Sequence, residues 1–262
     1  MFKDIKQVMK DSVLYGIGNV AVKLVGFILI PLYTDAEYFS TADYGLMGLL
    51  EVTSQILIAV MGLSLYSGLI RWYWDAEYRD KQKTIFFTTL LFTILISLTV
   101  GGLLWLNVDG LSVLLVQQEG YSLGEDLPYV LQLLILTSML GAVVEVPQNL
   151  LRLQSKPIYY STTNIMRLFV TLVLTIYFTI SLHRGIAGVY EAQLVGSVIQ
   201  LLMVLPLIIK NSSFQMDRAC TVQLFLYSYP LVFSAVIGNL LTVFDRYIIN
   251  HFQGLEDVGF IA

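Results

Sequence analysis

SVLYGIGNVAVKLVGFILIPLYT, residues 12–34, decides what kind of protein this is. As a helix the stretch is long enough to cross the hydrocarbon core of a bilayer, which takes ~20 residues. Lys23 stands at its middle. A lysine at the centre of a bilayer costs about 2.5–3.5 kcal/mol on insertion scales, so it needs protein or water around it. Gly16, Asn19, Lys23 and Gly26 follow a 3-4-3 spacing and share one helical face, while the other faces are Val, Leu, Ile, Phe and Ala. A segment that is apolar on most sides and polar on one belongs in a bundle with its polar side turned to a partner or a wet cavity. The stretch therefore predicts an all-α, polytopic membrane protein with a lined interior.

The rest of the chain agrees. Of 262 residues, 56% are hydrophobic and 13% charged, against about 25% charged in soluble domains. That composition excludes a disordered chain and a nucleic-acid-binding one. Cys220 is the single cysteine, so no internal disulfide is possible. Lys3, Lys6 and Lys10 before an apolar run imitate a signal peptide, but Lys23 interrupts the run and no small-x-small cleavage site follows. The segment reads as a retained first span.

Hydropathy marks seven long apolar segments, at 12–34, 43–70, 84–106, 128–151, 157–181, 186–209 and 222–250. Their connections are short apart from about twenty residues from Asn107 to Leu127. With the N-terminus in the cytoplasm, eleven of the fifteen Lys and Arg fall inside, Arg184 falls in an outside loop, and Lys23, Arg167 and Arg246 lie within spans. The outside loops carry Asp35, Glu37, Asp43, Asp109, Glu119, Glu125 and Asp126. This one-sidedness predicts a cytoplasmic N-terminus by the positive-inside rule, opposite to seven-helix receptors. Residues 258–262 read as the opening of an eighth span. The expected organisation is a six-helix bundle over 1–220, then a seventh span and the start of a second bundle over 221–262, in a fragment of a longer protein.

Polar stripes recur within the spans. Gly48, Glu51, Gln55 and Gly62 share a face in the second; Gly141, Glu145, Gln148 and Arg152 in the fourth, beside Pro147, which is expected to kink the helix; Tyr160, Asn164, Arg167 and Thr171 in the fifth. In the seventh, Gly238, Thr242 and Asp245 align, with Asn239 and Arg246 adjacent. The third span has only Ser, Thr and Gly as polar residues and is expected to face lipid. Two readings of these stripes stand side by side. Small and hydroxylated residues are ordinary packing positions between membrane helices, and Glu51 and Glu145 can pair structurally with Lys23 and Arg167. Ionisable residues at membrane depth also mark transport pathways, which predicts a hydrated central cavity.

Catalysis finds little support. His183 and His251 lack metal-ligand spacing with any carboxylate, and no nucleophile motif, phosphate loop or cysteine cluster occurs, so neither metal nor cofactor is expected. Asp245-Arg246 suits a membrane glycosyltransferase or polymerase, but such enzymes carry sizeable polar loops that this chain lacks.

The pattern N-x-x-x-K-L-x-G-F-x-x-x-P-L-Y-T from Asn19 to Thr34, A-D-Y-G-L at Ala42–Leu46, and Gly62-Leu63 followed by Arg71-Trp72-Tyr73 resemble bacterial polysaccharide flippases. So do Tyr229-Pro230, Asn239, Asp245-Arg246-Tyr247 and Val258-Gly259-Phe260. These are the O-antigen (lipopolysaccharide), capsule and teichuronic-acid lipid exporters of the multidrug/oligosaccharidyl-lipid/polysaccharide exporter superfamily. The resemblance implies two pseudo-symmetric bundles around a cavity that opens alternately to each side of the bacterial inner membrane. It implies a lipid-linked oligosaccharide as cargo, carried on undecaprenyl pyrophosphate, with polysaccharide polymerase and glycosyltransferases as partners. Lys23 and Arg167 would meet the pyrophosphate, and Asn19, Gln55 and Asn164 the sugars. Glu51, Glu145, Asp245 and Arg246 would balance charge or couple transport to an ion. The competing expectations are a multidrug cation antiporter of the same superfamily, a membrane glycosyltransferase, and a structural subunit of a synthesis complex.

Overall fold

Ser40 starts the first complete helix. Its hydroxyl accepts from the Asp43 backbone N–H at 3.1 Å, while the Asp43 carboxylate takes the Ser40 N–H at 2.8 Å. This reciprocal capping box fixes where the helix begins. The computed structural model describes Gly16 and residues 27–115, 127–213 and 215–252. Helical residues 27–33 (α1) lead into α2 (Thr41–Gly62) and α3 (Leu65–Trp72), then a 3-10 turn, Ala76–Lys81, opens α4 (Gln82–Leu106). After α5 (Val108–Leu115) come α6 (Leu127–Leu153), α7 (Pro157–Ile176), a π-helical turn at Tyr177–Ser181, α8 (Gly185–Asn211) and α9 (Arg218–Phe252). Among the described residues, six helical segments are long and apolar enough to cross a membrane.

The connections sort to two ends. Tyr38 of the α1–α2 turn stacks on His183 of the turn before α8, with ring centroids 6.4 Å apart. At the opposite end Gln154 donates to Asn211 at 2.9 Å and to Tyr73 at 3.0 Å, and Lys81 pairs with Asp217. Arg71, Arg79, Lys83, Arg152, Lys156, Lys210 and Arg218 gather at this second end with Lys81, whereas Asp35, Glu37, Asp43 and Asp109 lie at the first. Each end has its own apolar core. Phe39, Leu46, Leu50, Leu131, Ile186 and Tyr190 fill the first, and Leu69, Ile85, Phe86, Leu150, Leu207 and Leu224 the second. α6 is the shared element, packing against α2, α4 and α8.

Two expectations change. The apolar run over 43–70 is two helices, because Leu63 and Ser64 take left-handed backbone angles (φ 44° and 49°) that end α2 and restart the chain as α3. Hydropathy continues unbroken across this joint and cannot report it. The stretch from Asn107 to Leu127 contains α5, whose Val108 and Leu115 join the first core. The third span is less buried than α2, α6 and α8 and more buried than α7 and the first part of α9. Thr88, Thr89, Thr93, Ser97 and Gly101 are α4's buried side. A Cβ on Gly101 would lie 2.3 Å from Met139 Sδ of α6, so the small-residue stripe is the packing face. Leu95, Leu98 and Leu103 point outward. α6 runs unbroken past its buried Pro147.

Candidate functional site

Between α1, α2, α7 and α8 lies a cavity of about 640 Å³. α2 turns Tyr44, Met47, Gly48, Glu51, Ser54 and Gln55 into it; α7 supplies Asn164, Arg167, Leu168 and Thr171; α8 supplies Val189, Tyr190 and Gln193; Ile30 and Tyr33 close it from α1. The 3–4 spacing on α2 and α7 puts each set on one helical face. Arg167 lies near the middle of α7, ten residues from Pro157 and nine from Ile176. The lining of described residues thus combines one guanidinium and one carboxylate with amides, hydroxyls and tyrosines.

Four of the residues singled out in the sequence, Glu51, Gln55, Asn164 and Arg167, come together here. Glu145 does not line the cavity: on α6 it faces Gly62 of α2, with its Oε2 3.8 Å from where a Cβ on that glycine would sit. Its neighbours in the fourth-span stripe also serve helix contacts. Gly141 meets Ile58, Gln148 donates to Thr163 Oγ1 at 2.9 Å, and Arg152 lies over the Tyr160 ring at 4.6 Å. Lys23 and Asn19 lie outside the described residues, as do the side chains of Asp245 and Arg246 on α9.

No carboxylate among the described residues pairs with Arg167. The ion pairs found there, Lys81–Asp217 and Arg184–Glu191, sit at the two ends of the bundle. The Arg167 guanidinium instead donates to Gln200 Oε1 at 3.3 Å, and Gln200 Nε2 donates to Asn164 Oδ1 at 3.0 Å. Asn164 Nδ2 in turn donates to Tyr160 O at 2.8 Å and to Gln148 Oε1 at 3.4 Å. Gln200 is buried behind the cavity wall. Gln193, Gly196 and Gln200 make a sixth-span stripe at 3–4 spacing, a signal present in the sequence but submerged in a strongly apolar helix. Tyr33, Tyr44 and Tyr190 also line the cavity, and tyrosines are too common in these spans for spacing to single them out. No group of three or more His, Cys, Asp or Glu side chains able to hold a metal occurs among the described residues.

Residues 8–262 match the family described as polysaccharide biosynthesis protein. No curated protein matches the chain. Among solved structures it is similar to a MATE transporter in a straight conformation, at 16% identity over 98% of this chain and 58% of that one, with a TM-score of 0.73. It is similar at 16% identity to a MOP superfamily transporter from Pyrococcus furiosus, over 94% of this chain and 55% of that one, with a TM-score of 0.72. The binding pocket of that archaeal transporter has reverse polarity, which suggests a different function for it. An outward-facing multidrug resistance MATE family transporter of the MOP superfamily is similar at 15% identity, over 94% of this chain and 55% of that one, with a TM-score of 0.71. At such identities the likeness establishes the fold, and the chain spans little more than half the length of these transporters. With nearly all of its residues matched, this chain belongs to the polysaccharide biosynthesis protein family and is a multi-pass membrane protein on a MATE-type transporter fold.

Proposed function

We propose that the chain is the N-terminal half of an exporter that carries an undecaprenyl-pyrophosphate-linked oligosaccharide across the bacterial inner membrane by alternating access. In this reading 1–220 form the first bundle, 221–262 lead into the second, and the N-terminus is cytoplasmic. The observation that supports it is Arg167, a mid-span guanidinium beside a 640 Å³ cavity with no carboxylate partner among the described residues. An arginine cannot shed its proton to escape burial. Its planar fork of donors matches phosphate oxygens in pairs. Gln55, Asn164, Gln193 and the tyrosines are the donors and acceptors that sugar hydroxyls require. Lys23 and Asn19 on the first span are assigned to the same cargo. Asp245 and Arg246 serve charge balance near the junction to the second bundle. Glu145, held at the α2–α6 contact, is assigned to coupling.

A second reading, export of cationic drugs, is favoured by one feature: Glu51 opens into the cavity and has no hydrogen-bond or ion-pair partner among the described residues. One experiment separates the two, using the complete transporter in a flippase-deficient strain with protein abundance measured throughout. Arg167→Met is expected to leave abundance normal, to abolish surface polysaccharide and to accumulate lipid-linked oligosaccharide on the cytoplasmic side. Wild-type export by this variant overturns the proposal. Loss of resistance to lipophilic cations in Glu51→Gln, with polysaccharide export intact, would establish the second reading instead.

A further inference from the structure

We propose that Gln200, which lies behind the cavity wall and cannot touch cargo, is a positioning residue that holds Arg167 in place as an un-neutralised cation. It does so at the head of a one-way chain of hydrogen bonds through α8, α7 and α6. The inference rests on the reading of Arg167 as an anion-binding group.

Chemistry at its two ends sets the chain's direction. A guanidinium can only donate, so the oxygen of the Gln200 amide must face Arg167 (3.3 Å), leaving its nitrogen for Asn164 Oδ1 (3.0 Å). Asn164 then has only its nitrogen to offer, and gives it to Tyr160 O (2.8 Å) and Gln148 Oε1 (3.4 Å). Gln148 passes its nitrogen to Thr163 Oγ1 (2.9 Å), and that hydroxyl donates to Tyr160 O (2.9 Å), which can only accept. Turning any one amide over sets like atoms face to face at its joints. Gln148, Thr163 and Gln200 are all buried, so water cannot repair such an error.

The acceptor is a neutral amide, and this matters as much as the direction. A carboxylate at position 200 would hold the guanidinium equally well but cancel its charge before cargo arrived. Glutamine fixes one N–H and leaves the positive charge free for an anion. Gly196, one turn before Gln200, permits the close approach that this needs: a Cβ there would lie 2.2 Å from Thr171 Oγ1 and 3.1 Å from Arg167 O.

The test uses the complete transporter purified in detergent, with farnesyl pyrophosphate as the probe and a melting temperature recorded for every variant. Gln200→Glu turns an acceptor toward Asn164 Oδ1 and is expected to melt below the wild type, and to bind on the order of fiftyfold more weakly, because it gives Arg167 a permanent counter-ion. Gln200→Leu should also melt lower but lose only about fivefold in affinity, since it frees the guanidinium without neutralising it. About tenfold weaker binding by the glutamate variant than by the leucine variant, with both folded, is the signature. Gln200→Glu binding as tightly as Gln200→Leu, or within about twofold of wild type, overturns the positioning role. If Gln200→Glu is not recovered folded, Gln148→Leu carries the test: about threefold weaker binding supports the chain and wild-type affinity overturns it. Arg167→Met that keeps its affinity for the probe overturns the underlying reading of the cavity. Loss of affinity in Arg167→Met with wild-type binding by both Gln200 variants removes the positioning role and leaves that reading standing.

Discussion

Gly196 is where the site depends most on a missing side chain. Its position against Thr171 and Arg167 leaves no room for a methyl group. Gly196→Ala is therefore expected to force α7 and α8 apart, at about 1–3 kcal/mol of stability, and to displace Arg167 and reduce export. Thr171→Ala in the same chain should restore part of the melting temperature, because the nearest clash is with the Thr171 hydroxyl; no recovery would place the strain elsewhere. At this scale the sequence was informative for charge and spacing. Arg167, Asn164, Glu51 and Gln55 stand out as polar residues on shared faces of apolar helices, and the cavity collects all four. Glu145 has the same signature but turns toward Gly62, because which neighbour a helical face meets is a property of the bundle and is not encoded in the spacing along one helix. The hydrogen bonds among Gln148, Asn164 and Gln200 join three helices and are invisible to any pattern within one.

Helix ends show the same division. Ser40 and Asp43 announce the start of α2 in a pattern readable by eye, whereas the end of α2 rests on Leu63 and Ser64 in left-handed conformations that neither residue favours. α9 starts with a device of its own. Asp217 accepts from the backbone N–H groups of Ala219 at 2.9 Å and Cys220 at 3.4 Å, and its other oxygen pairs with Lys81. Lys81, with help from those two N–H groups, holds the Asp217 carboxyl below its ordinary range. A carboxyl with a lowered pKa in the folded state stabilises the fold above its ordinary titration range and loses that contribution as pH falls through the lowered value. The melting temperature of the wild type should thus exceed that of Asp217→Asn by a constant margin from pH 7 to about 5, and the margin should shrink below about pH 4. A margin that grows on acidification would contradict the assignment.

Across the whole molecule, the gathering of cations at one end turns a loop-by-loop tally into a spatial asymmetry, and it yields a topology experiment. With Cys220 replaced by serine, Glu37→Cys is expected to react with an impermeant maleimide added to intact cells and Arg79→Cys only after permeabilisation; both positions are exposed. The reverse pattern would invert the bundle. α9 has 35 residues, roughly 52 Å at about 1.5 Å per residue, well beyond the ~30 Å of hydrocarbon in a bilayer. It carries Pro230 inside it, and the Tyr247 hydroxyl near its far end lies 2.9 Å from Thr53 Oγ1 on the helix that bears Glu51 and Gln55. Mechanically this is a lever with a soft pivot and a latch. From Pro230 to Phe252 its arm is roughly 33 Å long, so a bend of about 20° at the proline sweeps the tip through roughly 11 Å. For that arm to swing clear of the cavity-bearing helix, the hydroxyl contact must break together with the apolar packing of Tyr247 and Ile249 on the first core.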